Sequence, residues 1–303
     1  MKLLAKSSEK LKQLNDRKNK GFKYIELQLT SDFIKEDVDI KKYLDNILND
    51  NWKIESIQMP IILDDDSIDI EYLTYPENEK IFYNCCLLAQ KAAEYYNKNV
   101  TVVIHNGLSL EKYKKMPVLL NNIIDILNKA LIENPNIDIS IENYLPFAVN
   151  KKGITLTTFC FFENVELVKY LNSICIRKSF YTTLDICNTL STIGTLELFH
   201  DIKESNKFIV DIEEYFKKNK DVINNIHLNN IKHLGVGKGN NSVNFDENNI
   251  QDMHLLEHII ELYNKYEYDC NVVLEITELS PDDAVEAEKL FKIIKENKYS
   301  IYG

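Results

Sequence analysis

The chain has 303 residues, 45% hydrophobic and 27% charged, with only 8 Gly and 6 Pro, so it can bury a large core and is neither a disordered chain nor a fibrous repeat. A formal charge of −11 disfavours nonspecific attraction to a phosphate backbone, and only Arg17 and Arg177 are available to grip phosphate with a guanidinium. No apolar run reaches the roughly 18 residues that span a bilayer, and the start MKLLAKSSEKLKQLND turns charged too early for a secretory signal, so a cytoplasmic location without membrane contact is expected. From the N-terminus onward, β-branched runs alternate with amphipathic stretches, and no Pro/Gly/Ser-rich linker interrupts them. Strands are expected at 3–6, 23–29, 53–59, 100–105, 137–142, 181–185, 222–228 and 272–276. Helices are expected between them at 8–19, opened by Ser7 or Ser8 as N-cap, and at 78–97, 116–133, 163–173, 249–266 and 281–297, the last with Pro281 in its first turn. The six cysteines (85, 86, 160, 175, 187 and 270) sit in apolar segments without C-x-x-C spacing, which suits reduced, buried thiols.

Eight strands separated by helices, in units of about 30 to 50 residues, are the rhythm of an α/β protein with one (β/α)8 TIM barrel domain over 1–303. An open doubly wound sheet would carry a glycine-rich phosphate turn after its first strand, where this chain has KSSEK. Five of the strands end in a residue that can ligate a metal or move a proton: His105, Glu142, Asp185, His227 and Glu275. The C-terminal strand ends of such a barrel meet at one mouth, so these residues become neighbours. One charged strand end is ordinary, because strands end where they meet solvent, but four in succession on the last four strands are a pattern. Glu142, Asp185, His227 and Glu275 form a set of three carboxylates and one imidazole whose hardness suits Mn²⁺, Mg²⁺ or Co²⁺ and is compatible with Zn²⁺. Without a cation the carboxylates would repel one another, so the set makes physical sense as a site for one divalent ion.

The segments VVIHNG (102–107), ISIENY (139–144), TTLDICN (182–188), IHLNN (226–230), LGVGKGN (234–240) and VVLEITE (272–278) resemble the successive strand-end motifs of the xylose isomerase-like barrel superfamily. That group includes sugar isomerases, sugar epimerases and endonuclease IV, and the resemblance runs in order over strands four to eight. It implies that Glu142, Asp185, His227 and Glu275 hold one metal ion as in the ketose 3-epimerases, whose two glutamates also act as acid and base on the substrate carbon. The residue chemistry agrees: a divalent ion polarises a carbonyl and stabilises an enediolate, and a carboxylate on each face exchanges the adjacent C–H proton. Glu142 and Glu275 are the candidate pair. The histidine that the epimerases place three residues after the metal aspartate is Asn188 here, which can hydrogen-bond a hydroxyl but cannot carry a proton. Endonuclease IV is matched in His105, Glu142, Asp185, His227, His233 and Glu275, but three of the ligands its trinuclear zinc cluster requires fall at Met59-Pro60, Asn188 and Ile231.

Other residues divide between the mouth and the surface. Glu26, in YIELQL, is a candidate contact for a polar ligand at the mouth or a solvent-facing residue, and His105 is a pocket hydrogen-bonder or a satisfied buried histidine. In the loop after strand seven, His233 and Lys238 of GVGKGN could offer an imidazole, an ammonium and backbone N–H groups to a phosphate. His254, Glu257 and His258 spell H-x-x-E-H, but lie on an outer helix and read as surface, as does His200. The aromatic cluster FCFFEN (159–164) reads as a hydrophobic cap, and Asp64-Asp65-Asp66 as solvated.

The residues support three functions. The first is an isomerase or epimerase of a sugar or sugar phosphate with one divalent ion (Mn, Co, Mg or Zn), taking a small-molecule carbohydrate through an enediolate at Glu142 and Glu275, with Glu26, His105, Asn188, His233 and Lys238 as substrate contacts. An apurinic-site endonuclease acting on DNA is the second, disfavoured by the missing ligands and the scarcity of arginine. A barrel that binds a ligand without turnover is the third, motivated by Asn188. A homo-oligomer is compatible with all three.

Overall fold

A computed structural model describes residues 1–30, 39–49, 51–60, 62–63, 66–67, 70–143, 147–150, 153–156, 163–198, 212–231, 242–280 and 282–296. Every expected strand is present: β1 (Lys2–Ser7), β2 (Tyr24–Gln28), β3 (Lys53–Gln58), β4 (Val100–His105), β5 (Ile137–Glu142), β6 (Phe180–Asp185), β7 (Ile223–Leu228) and β8 (Asn271–Leu274). All neighbouring pairs are parallel, and the sheet closes in the order β1-β8-β7-β6-β5-β4-β3-β2. The protein is a (β/α)8 barrel.

Helices among the described residues are α1 (Leu11–Asn19), α2 (Ile40–Asn49), α3 (Pro76–Tyr96), α4 (Leu110–Lys114), α5 (Pro117–Glu133), α6 (Glu163–Ile174), α7 (Ile186–Leu198), α8 (Ile212–Asn219), α9 (Ile250–Lys265) and α10 (Val285–Glu296). None is long and apolar enough to cross a membrane. Successive side chains on a strand face opposite ways, and the two faces here have different surroundings. Leu3, Ala5, Val102, Ile104, Val272 and Leu274 join the core that packs the barrel against its helices. Leu4, Val103 and Val273, on the other strand face, are equally buried but lie apart from that core, inside the barrel. Both faces are therefore closed to water, which is why these strands read as continuous apolar runs.

The structure corrects several boundaries. Helix α1 starts at Leu11 with Lys10 in the N-cap position, so neither Ser7 nor Ser8 caps it; Ser8 forms a turn instead, its hydroxyl accepting from the Lys10 N–H at 3.3 Å and its own N–H donating to Gln13 Oε1 at 3.0 Å. Helix α10 begins at Val285, and Pro281 lies outside the described residues. Short helices α2, α4, α7 and α8 were not expected individually; α2 is marked by Asp39, whose side chain accepts from the Lys42 N–H at 3.0 Å. Cys85, Cys86, Cys187 and Cys270 are buried free thiols pushed up by burial, and the less buried Cys175 rises to about 11; Cys160 lies outside the described residues.

Candidate metal centre

Parallel register sets the mouth of the barrel. Lys6 lies beside Glu26, His105 beside Glu142, and Asp185 beside His227, while the Glu275 N–H extends the ladder by donating to the Leu228 carbonyl at 3.2 Å. One ligand atom from each of Glu142, Asp185, His227 and Glu275 falls within 4.8 Å of the others. The imidazole of His227 is fully buried. Its Nδ1 stands 3.3 Å from Glu142 Oε1 and 3.0 Å from Glu275 Oε2, and its Nε2 stands 3.0 Å from Glu26 Oε1.

A second layer holds each carboxylate in place. Glu142 Oε2 accepts from Gln58 Nε2 at 2.8 Å and lies 3.4 Å from His105 Nε2. Asp185 caps helix α7, its Oδ1 accepting the Asn188 N–H, while Oδ2 accepts from Asn229 Nδ2 at 2.9 Å. Asn143 accepts the Asp185 N–H at 2.7 Å, and the Asn188 side chain donates to the Asn143 carbonyl at 2.9 Å. Glu275 Oε1 is paired with the Lys6 ammonium, which also lies 3.8 Å from Glu26 Oε1. Glu26 Oε2 accepts from the Ser56 hydroxyl at 2.7 Å.

The electrostatics follow from this crowding. Burial alone would lower the pKa of His227, but Glu26, Glu142 and Glu275 together hold it well above the ordinary imidazole value. Burial raises Asp185 well above the usual carboxylate range, and its neighbours Glu275 and Glu142 push the same way. Glu142 and Glu275 are lowered: burial opposes this, but His227 with His105 prevails at the first, and Lys6 with His227 at the second. A proton on His227 thus stands where a cation would be held.

The donor set fits a divalent ion. His227 Nδ1 is buried and makes no well-aligned hydrogen bond, although the carboxylates of Glu142 and Glu275 stand 3.3 and 3.0 Å from it. With Nε2 directed at Glu26, a neutral imidazole would carry its proton there and turn the Nδ1 lone pair toward the cluster, the arrangement of a metal-ligating histidine backed by a carboxylate.

The structure brings together all four proposed ligands and places His105 against one of them. Glu26 is neither solvent-facing nor at the open mouth; it is fully buried behind His227. The amide nitrogen of Asn188 is committed to the backbone of Asn143. His233, Lys238, His200 and 159–162 lie outside the described residues, as do Asp64 and Asp65 of the acidic run. His254, Glu257 and His258 are exposed on α9, away from the strand ends. Lys6, Gln58, Asn143 and Asn229 carry no ligand signal in the sequence: all four stand within one residue of a strand end, but none is a typical metal ligand.

No family model and no curated protein sequence matches the chain. Solved structures do. An AP endonuclease, family 2, from Brucella melitensis superposes with a TM-score of 0.58 at 14% identity, covering 97% of this chain and 98% of that one. A D-tagatose 3-epimerase-like protein gives 0.54 at 16% identity over 98% of both chains. A xylose isomerase domain protein from Planctomyces limnophilus gives 0.63 at 9% identity, covering 97% of this chain and 96% of that one. Identities this low speak to architecture alone, and over nearly its whole length this chain has the fold of the xylose isomerase-like barrels.

Proposed function

We propose that the chain is a divalent-metal-dependent isomerase or epimerase of a sugar or sugar phosphate. The observation that carries this reading is the buried Nδ1 of His227, which makes no well-aligned hydrogen bond yet stands within 3.3 Å of Glu142 and Glu275 in a cluster completed by Asp185, with Glu26 behind the ring. One divalent ion held by those four residues, Mn²⁺, Co²⁺, Mg²⁺ or Zn²⁺, would supply positive charge against the negative charge that develops on a substrate oxygen. Glu142 and Glu275 come from strand ends three places apart around the barrel and so approach a bound carbon from different sides. Each has a fixed oxygen, held by Gln58 and His105 at Glu142 and by Lys6 at Glu275, which leaves the other oxygen directed toward the cluster. In this reading one glutamate takes the proton from a carbon beside a carbonyl and the other returns one. Gln58 adds selectivity: its Nε2 is spent on Glu142, while its Oε1 is buried and without a partner, an acceptor suited to a sugar hydroxyl.

Hydrolysis of DNA receives less support, because the net charge is −11 and only two arginines are present to follow a phosphate backbone. The test is exchange of carbon-bound hydrogen into D₂O, followed by NMR over a panel of ketoses and ketose phosphates with Mn²⁺ present. The wild type should exchange at least one of them. Glu142→Gln should lose exchange by at least about a thousandfold while its circular dichroism is unchanged. Full activity in that variant would refute the assignment.

A further inference from the structure

Lys6 is a cation already installed among the carboxylates of this centre. Its side chain is only 10% exposed, its ammonium pairs with Glu275 Oε1, and Glu26 Oε1 lies 3.8 Å away. Glu275 is thereby divided between two charges: Oε2 faces His227 and the four-residue cluster, and Oε1 faces Lys6. Glu26 faces the same two nitrogen groups. Its Oε2 accepts from Ser56 and lies 3.3 Å from His227 Nε2, and its Oε1, fully buried and making no hydrogen bond, faces both Lys6 and His227. Lys6, Glu275, His227 and Glu26 thus form a closed ring in which carboxylates alternate with nitrogen groups.

Resting on the reading of the cluster as a metal centre, we propose that Lys6 is the second cation of this site, and that it limits the centre to one divalent ion. The carboxylate oxygens that a second ion would bridge, Glu275 Oε1 and Glu26 Oε1, are the two that flank the ammonium. An ion there would meet a tethered positive charge that cannot diffuse away. Replacing the ammonium by a small neutral side chain leaves two buried anionic oxygens and space between them, which is a vacant cation subsite.

The experiment counts metal rather than turnover. Wild type, Lys6→Ser, Lys6→Arg and the double variant Lys6→Ser/Glu26→Gln are stripped with chelator, loaded with Mn²⁺, and assayed by elemental analysis and electron paramagnetic resonance. The expected stoichiometries are one ion per chain in wild type and Lys6→Arg, two in Lys6→Ser with a spin-coupled spectrum, and one in the double variant. If circular dichroism shows that Lys6→Ser does not fold, Lys6→Gln takes its place with the same expectation. The proposal is overturned if wild type already takes two ions, if the neutral variant takes no more than wild type, or if the double variant keeps the additional ion. A wild type with no ion beside a neutral variant with one would leave the role of Lys6 standing and remove the metal-enzyme reading. No ion in either would remove both.

Discussion

The carboxylate behind His227 offers the sharpest test of how the centre is organised. Glu26→Gln conserves volume and can keep the Ser56 bond, but it removes the charge that faces His227 Nε2 at 3.0 Å. That charge selects the tautomer in which Nδ1 is free, and it raises the basicity of the ring toward a metal. Loss of such a partner typically weakens metal binding by about 10- to 100-fold, which corresponds to about 1.4 to 2.7 kcal/mol. Lys6 retains Glu275 in the variant, so the cluster itself is not dismantled. Calorimetric titration of the stripped protein with Mn²⁺ should therefore show a dissociation constant raised into that range. The melting temperature of the metal-free variant should change by only a few degrees, because the hydroxyl bond survives. A dissociation constant within threefold of wild type, in a folded variant, would refute the reasoning and show that Glu26 does not orient the imidazole.

Two further outcomes follow from the same geometry and from a glycine near it. His227 has a raised pKa in the metal-free protein, so the stability it contributes is complete below the ordinary imidazole value of 6.5 and is lost as pH rises through the folded value. Asp185, also raised, has the same sign, while Glu142 and Glu275, which are lowered, stay ionised throughout this range. The metal-free melting temperature should fall as pH rises above 6.5, and the gain on adding Mn²⁺ should be larger at pH 8 than at pH 6; a rise of the metal-free value with pH above 6.5, followed by scanning fluorimetry, would contradict it. At Gly107 an added Cβ would clash with the carboxylate of Glu71, whose Oε2 accepts from the Tyr113 hydroxyl at 3.0 Å. Gly107→Ala must displace that carboxylate and should cost about 1 to 2 kcal/mol, read as a lower urea midpoint; an unchanged midpoint would show that Glu71 swings aside freely.

Much of the centre was legible because strands closed on both faces write themselves as apolar runs, and a polar residue terminating such a run stands out. His105, Glu142 and Asp185 are the final residues of β4, β5 and β6, where that logic placed them, and His227 lies one residue before the end of β7. Lys6 and Gln58 obey the same rule at β1 and β3, but an ammonium and an amide are not typical metal ligands and so do not stand out as members of a metal site. Glu26 stays open in the sequence between a contact at the mouth and a solvent-facing residue, because alternation in YIELQL sets it opposite to Ile25 and Leu27 without showing that its face is the packed barrel interior. Asn143, Asn188 and Asn229 act largely through backbone groups at the ends of other βα units, and such pairings depend on three-dimensional register that one sequence does not contain.

The second-layer contacts also bear on which ion this mouth would choose by size. Glu142 has one oxygen tied to Gln58, Glu275 has one tied to Lys6, and Asp185 accepts a donor on each oxygen. None can readily swing to clasp an ion with both oxygens. Calcium commonly fills its six to eight positions by such bidentate carboxylate contacts at longer range, whereas magnesium and manganese are content with single oxygens and a few waters. A mouth whose acids are each pinned at one corner is a poor fit for the larger ion and a better one for the smaller.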